Sequence, residues 1–182
     1  MHAIVTDIVR SIVPFDAIEQ VHIDSTLTWI ETGVPLCRIQ KPDIPPQHLV
    51  SYFVLFDPLH QKLLLVDHKK AKLWLPSGGH VEPGEHPQTT VRREVQEELS
   101  LEAVFFLPGP LFITVTETVG ITAGHTDVSL WYVLHGDSTQ SIAYDTDEFH
   151  QIAWFPLQSL PLARSDPHMA RFAMKLQMVT SL

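Results

Sequence analysis

Cysteine is almost absent: Cys37 is the only one in 182 residues. An intrachain disulfide is therefore excluded, and so are the paired-cysteine zinc patterns; a reducing compartment, with cytoplasm as the default, is the expectation. Long apolar runs are missing as well. No segment approaches eighteen uninterrupted apolar residues, and the opening MHAIVTDIVRSIVPFD has neither a basic start nor the apolar stretch of a leader, so no membrane association is expected. Positive charge is scarce, with 12 Lys and Arg against 21 Asp and Glu for a formal charge of −9. That balance removes the basic footprint of a protein that binds nucleic-acid polymers. A phosphorylated ligand would have to be met locally, through metal. The eleven histidines show no HExxH or similar spacing, so they read as surface or core residues and no shared metal is assigned to them.

What is present is enough apolar character, 45% of residues, for one sizeable core. From Thr6 to about Thr32 apolar residues recur at loose helical spacing, broken at Pro14. Pro35, Pro42, Pro45 and Pro46 mark Pro35 to His48 as a connector. The expected division is thus a helical extension and connector over residues 1–48 and a main domain over 49–182. Within the latter, 49–56 and 62–67 are apolar runs of strand length around Asp57-Pro58, the simplest reading being a hairpin. A helix is expected from Pro87, well suited to a first helical position, to about Leu99. Strands are expected at Leu101 to Leu107, Phe112 to Val119, Val128 to His135 and Ile152 to Phe155, and a last helix at Pro167 to Val179. Strands on either side of one central helix point to an α+β sandwich with a mixed sheet.

The central helix carries the chemistry. At 100° per residue, Glu98 lies about 40° to one side of Glu94 and Glu97 about 60° to the other, so the three carboxylates share a face. Val91, Val95 and Leu99 form a stripe beside them, so one edge of the helix can enter a core while the next concentrates negative charge. Such a face is unfavourable without a cation, although a solvated run of glutamates is the commoner meaning of this spacing alone. A hard divalent ion suits it, because magnesium takes oxygen ligands and keeps positions open for phosphate oxygens.

The whole stretch from Gly79 to Leu101, GHVEPGEHPQTTVRREVQEELSL, resembles the Nudix box, G-x5-E-x7-R-E-U-x-E-E-x-G-U with U aliphatic. Gly79, Glu85, Arg93, Glu94, Val95, Glu97, Glu98 and Leu101 fill specified positions; Ser100 stands where the pattern has glycine. The resemblance implies an α/β/α sandwich carrying an N-terminal helical extension. It implies Mg2+ or Mn2+ held by Glu94, Glu97 and Glu98, with the Gly79 carbonyl as a further ligand and Glu85 paired to Arg93 as an orienting device. The reaction it implies is attack of water on a nucleoside diphosphate linked to another moiety X, a small nucleotide-like substrate. Candidate bases are Glu94, Glu148 and Glu117. A glycine one step past a helix usually supplies a left-handed residue, which costs serine on the order of 1 kcal/mol, a matter of stability rather than catalysis.

Recognition of the substrate is weakly encoded. Lys69, Lys70 and Lys72 suit a phosphate or simply a solvated loop; Trp74, Trp131, Tyr132 and Phe53 suit a base or, more commonly, the core. His125 and Asp127 resemble a feature of a Nudix branch with an N-terminal helical extension, and that extension is a candidate homodimer surface. The alternatives are a catalytically silent Nudix-fold module that senses a nucleotide or binds a partner, and a scaffold with an accidental charged helix. Isopentenyl-diphosphate isomerase shares the fold but needs a cysteine near the site, and Cys37 lies in the extension.

Overall fold

The computed structural model describes residues 1–40, 44–118 and 124–181. Two helices open the chain, α1 (His2–Ser11) and α2 (Ala17–Glu31). The break between them falls at Pro14, and Asp16 starts α2 by accepting the Glu19 N–H at 2.9 Å. Strands β1 (Gln47–Asp57), β2 (Lys62–His68), β3 (Leu73–Leu75) and β4 (Ser77–His80) follow, then helix α3 (Pro87–Leu99). Strands β5 (Phe112–Glu117), β6 (Thr126–His135) and β7 (Phe149–Pro156) and helix α4 (Met169–Thr180) complete the order. The expected end of β5 at Val119 lies outside the described residues.

The strands form one mixed sheet of seven, ordered β3-β2-β1-β6-β5, with β4 on β1 and β7 on β2. Its centre is the parallel pairing of β1 with β6, in unbroken register from Gln47 opposite Thr126 to Phe56 opposite His135. Alternate side chains of β1 enter opposite layers, which is why LVSYFVLF reads as a continuous apolar run. Leu49, Phe53 and Leu55 pack with Val5, Val9, Ile23 and Ile30 of the first two helices and with Val91, Val95 and Leu99 of α3. Val54 and Phe56 face the other way, toward Trp131, Phe172 and Leu176. The fold is therefore an α+β sandwich with helices on both faces, and the N-terminal helices contribute to its main core. A buried ion pair ties them to α4: Lys175 Nζ lies 2.8 Å from Glu19 Oε1.

The expected hairpin of β1 and β2 is present, while one other expectation needs correction. The hairpin of β1 and β2 is registered only at its tip, at Phe56–Leu63 and Asp57–Lys62, because β4 occupies the same edge of β1 further back and β7 runs along β2. Leu101–Leu107 is not a strand. That segment touches β6 through single bonds, Phe106 N–H to the Val133 carbonyl at 2.9 Å and His135 N–H to the Val104 carbonyl at 2.7 Å, and one isolated bridge, Phe105 to Leu134. Pro108 and Pro110 lack the N–H a ladder needs, so pairing with β6 becomes regular only at Phe112.

Candidate active site

Helix α3 begins where expected. His86 Nδ1 accepts the Gln88 N–H at 3.1 Å and Pro87 fills the first turn. Its other end closes through Ser100 in the left-handed region, φ 54° and ψ 34°, with the Leu101 N–H on the Val95 carbonyl at 3.4 Å. Val91, Val95 and Leu99 anchor the helix in the core. The carboxylates beside that stripe are thereby graded in exposure. Glu98 retains 5% of its accessible surface, whereas the side chain of Glu97 at the rim retains 59%. Glu94 is intermediate.

Strand β4 supplies the opposing wall. Glu98 Oε2 accepts from Ser77 Oγ, and the Gly78 N–H donates to the same carboxylate. Bare backbone is needed here: a Cβ at Gly79 would overlap the Glu94 carboxylate, and one at Gly78, where φ is +143°, would overlap the Ser51 carbonyl. The box glycine thus makes room for a box glutamate.

Arg93 gathers the acidic groups. Its Nε and Nη2 reach Glu85 at 3.2 and 3.3 Å, its Nη1 reaches Glu94 at 2.6 Å and Glu97 at 3.4 Å, and Nη2 also donates to the His80 carbonyl at 3.3 Å. Glu85 is held in turn by Thr90 Oγ1 at 2.8 Å and the Glu82 N–H at 3.2 Å. Burial alone would raise the Glu85 carboxyl, but these bonds hold it below its ordinary value. The expected Glu85–Arg93 pair is present and joins loop, helix and β4. Both side chains are largely covered, which gives the pair more weight than a surface ion pair has.

For Glu98 and Glu94 burial outweighs the compensating bonds. Burial pushes Glu98 up to about 8; the Ser77 bond pulls back, while the charges of Glu94 and Glu148 add to the rise. Burial likewise raises Glu94, against the pull of Arg93 and with added repulsion from Glu97 and Glu148. The charge of Glu148, fifty positions after Glu98 in sequence, is thus felt at both helix carboxylates. The His68 Nε2 lies 3.6 Å from its Oε1, and the Lys69 N–H holds its carbonyl at 3.0 Å. Glu94, Glu97 and Glu98 thus present carboxylate oxygens of graded burial along one helix face, donors of the kind a hard divalent cation takes.

Other candidates fall elsewhere. Glu117 ends β5 opposite Thr126 and is exposed. Lys69 is turned to the Thr146 carbonyl. Trp74, Trp131, Tyr132 and Phe53 are core residues. Cys37 is buried, and burial raises its thiol, so it offers no reactive thiolate for isomerase chemistry. Ser77 was not legible as a site residue; its place immediately before Gly78-Gly79 was the available signal.

The histidines are not all scattered. His48, His80, His125 and Asp127 bring one ligand atom each to within 4.8 Å of one another. The absence of a local ligand motif hid this, because the group is assembled from three strands.

The NUDIX domain family matches residues 46–176 of the chain. Among solved structures, the chain is similar to a NUDIX-family hydrolase from Clostridium perfringens, with 21% identity over 72% of this chain and 97% of that one and a TM-score of 0.57. It is similar to a MutT NUDIX hydrolase from Burkholderia pseudomallei, with 21% identity over 70% and 96% and a TM-score of 0.54. It is also similar to a C. elegans Ap4A hydrolase in a binary complex, with 16% identity over 72% and 98% and a TM-score of 0.55. No curated protein matches the chain. At these identities the structural likeness carries the fold.

Proposed function

The chain belongs to the Nudix family, hydrolases of nucleoside diphosphates linked to another moiety, and we propose that its own reaction is Mg2+-dependent cleavage of such a linkage at the α3–β4 cluster. The observation that carries this reading is the acidic face of α3 set against β4, where Ser77 Oγ meets Glu98 and Arg93 reaches Glu94 and Glu97. Bound there, the cation would supply charge that offsets the negative charge developing on the transferred phosphoryl group and would acidify water.

Glu98, positioned by Ser77 Oγ and the Gly78 N–H, and Glu94, positioned by Arg93, are the inner ligands, with Glu97 at the exposed rim. The Gly79 carbonyl is the further backbone ligand. Glu148 is the general base: it stands on the loop before β7, off the helix, with its Oε1 3.6 Å from His68 Nε2, and its charge reaches Glu94 and Glu98. Arg93 and Glu85 position these groups. The substrate is a small nucleotide-like diphosphate, and among the described residues no helix is long and apolar enough to cross a membrane.

The test is hydrolysis of a nucleotide panel (deoxynucleoside triphosphates, oxidised nucleotides, nucleotide sugars, ADP-ribose and dinucleoside polyphosphates) with Mg2+ or Mn2+. Turnover that depends on the ion and falls at least about a hundredfold in Glu98→Gln supports the reading. Unchanged turnover in that variant, or none in the wild type with any of these compounds, overturns it.

A further inference from the structure

We propose that His48, His80, His125 and Asp127 form a second metal site, separate from the glutamate cluster, that takes a borderline divalent ion of the zinc class and staples three strands together. His48 lies on β1 and is the register partner of Asp127 on β6; His80 ends β4 and is the register partner of Val50 on β1; His125 directly precedes β6. In register and two apart, His48, Val50 and Asp127 share a face of the sheet, so the pairing of β1 with β6 and β4 brings the four ligands to one point.

The distances suit this ion. Asp127 Oδ1 is 3.4 Å from His48 Nε2 and 3.4 Å from His125 Nε2. A tetrahedral zinc ion with ligands at about 2.0 to 2.1 Å separates neighbouring donors by about 3.3 to 3.4 Å. Imidazole nitrogens favour such ions over magnesium, which prefers oxygen.

A second, independent observation points the same way. His48 is fully buried, its Nδ1 is 3.0 Å from the Pro45 carbonyl, and that carbonyl can only accept. The Nδ1 proton is therefore committed, which leaves Nε2, facing the Asp127 carboxylate at 3.4 Å, as the ring atom that can take an ion. His48 Nε2, His80 Nε2 and Asp127 Oδ1 are all buried without a hydrogen-bond partner. Buried polar atoms left without a hydrogen bond around one point are costly, and a cation among them would satisfy all three.

Four protein ligands fill a tetrahedral shell, so the role is structural rather than catalytic. His80 directly follows Gly79, so the staple would fix the strand that walls the glutamate cluster. His125 also borders a cavity of about 270 Å3 with Pro46, Glu117 and Thr118.

The test uses the full chain, stripped with a chelator and reloaded with Zn2+ alone, with metal content measured after dialysis and affinity by competition with a chromogenic chelator. One equivalent should be retained by the wild type and by the Glu97→Gln, Glu98→Gln double variant, with a raised melting temperature. Affinity should fall more than about a hundredfold in His125→Ala and in Asp127→Ala. Unchanged binding in both variants overturns the proposal. So does a wild-type chain that takes up no Zn2+, which would assign the His48–Asp127 contact to a shared proton. Should the variants fail to fold, Co2+ in the wild-type chain decides: the intense visible absorption of tetrahedral cobalt supports the site, and the faint spectrum of octahedral cobalt overturns it. None of these readouts depends on hydrolysis, so the two readings fail separately.

Discussion

Arg93 places its Nη1 2.6 Å from Glu94 while its Nε and Nη2 grip both oxygens of Glu85. One guanidinium thus aims an inner carboxylate and locks the preceding loop. Lysine offers one charged point and cannot span two carboxylates with fixed geometry. Arg93→Lys should lower kcat by roughly tenfold to a hundredfold, the scale of a displaced site, with a smaller change in KM. The concentration of Mg2+ needed for half-maximal rate should rise as well, which loss of stability alone would not produce. Steady-state kinetics across an Mg2+ series checks this, and unchanged Mg2+ dependence would remove Arg93 from its positioning role.

Glu148 stands on the loop before β7, off the helix, and its charge reaches Glu94 and Glu98. As base it acts on water rather than on bound substrate. Glu148→Gln should therefore cut kcat by about a hundredfold or more while leaving KM near the wild-type value. Equal rates in the two proteins would return the role of base to Glu94.

Ser100 is exposed and sits at φ 54°, a conformation glycine adopts without a Cβ penalty. Ser100→Gly should raise the melting temperature by about 2 to 4 °C, the shift expected of roughly 1 kcal/mol in a chain of this size. Activity should hardly move. Differential scanning calorimetry measures the first, and a lowered melting temperature would contradict the cap geometry.

Asp57 is a buried carboxylate at the β1–β2 turn. Burial disfavours its charge, yet bonds from Ser138, from the His60 N–H and from the His60 ring hold its acid well below the ordinary carboxylate range. A depressed folded-state value means that its contribution is complete above the unfolded value, near 4, and is lost as pH falls toward the folded one. Asp57→Asn should lower the melting temperature at pH 7 and flatten its decline between pH 4 and pH 2. Melting curves across that range test the sign; a parallel decline in both proteins would show that Asp57 is not part of the acid response.

Much of the site was legible because it is local. Pro87, the Val91–Val95–Leu99 stripe and the left-handed position at Ser100 delimit α3 within one continuous stretch, and the Glu85–Arg93 spacing fits one loop folded onto one helix. Elsewhere local signals misled. The apolar run at Leu101–Leu107 has strand composition, but Pro108 and Pro110 interrupt pairing with β6 beside it. His48 and Asp127 stand 79 positions apart, and no spacing rule links them, because they meet only through the parallel pairing of β1 with β6.

The sequence by itself determined the helix, its acidic face and its apolar seam, since helical periodicity is a property of neighbours three and four residues apart. Tertiary structure decided which carboxylates lose water, that Ser77 and Gly78 meet Glu98, that the charge of Glu148 reaches it, and that three histidines and an aspartate converge. Desolvation and long-range convergence depend on which strands lie side by side, and strand pairing is a choice made by the whole chain.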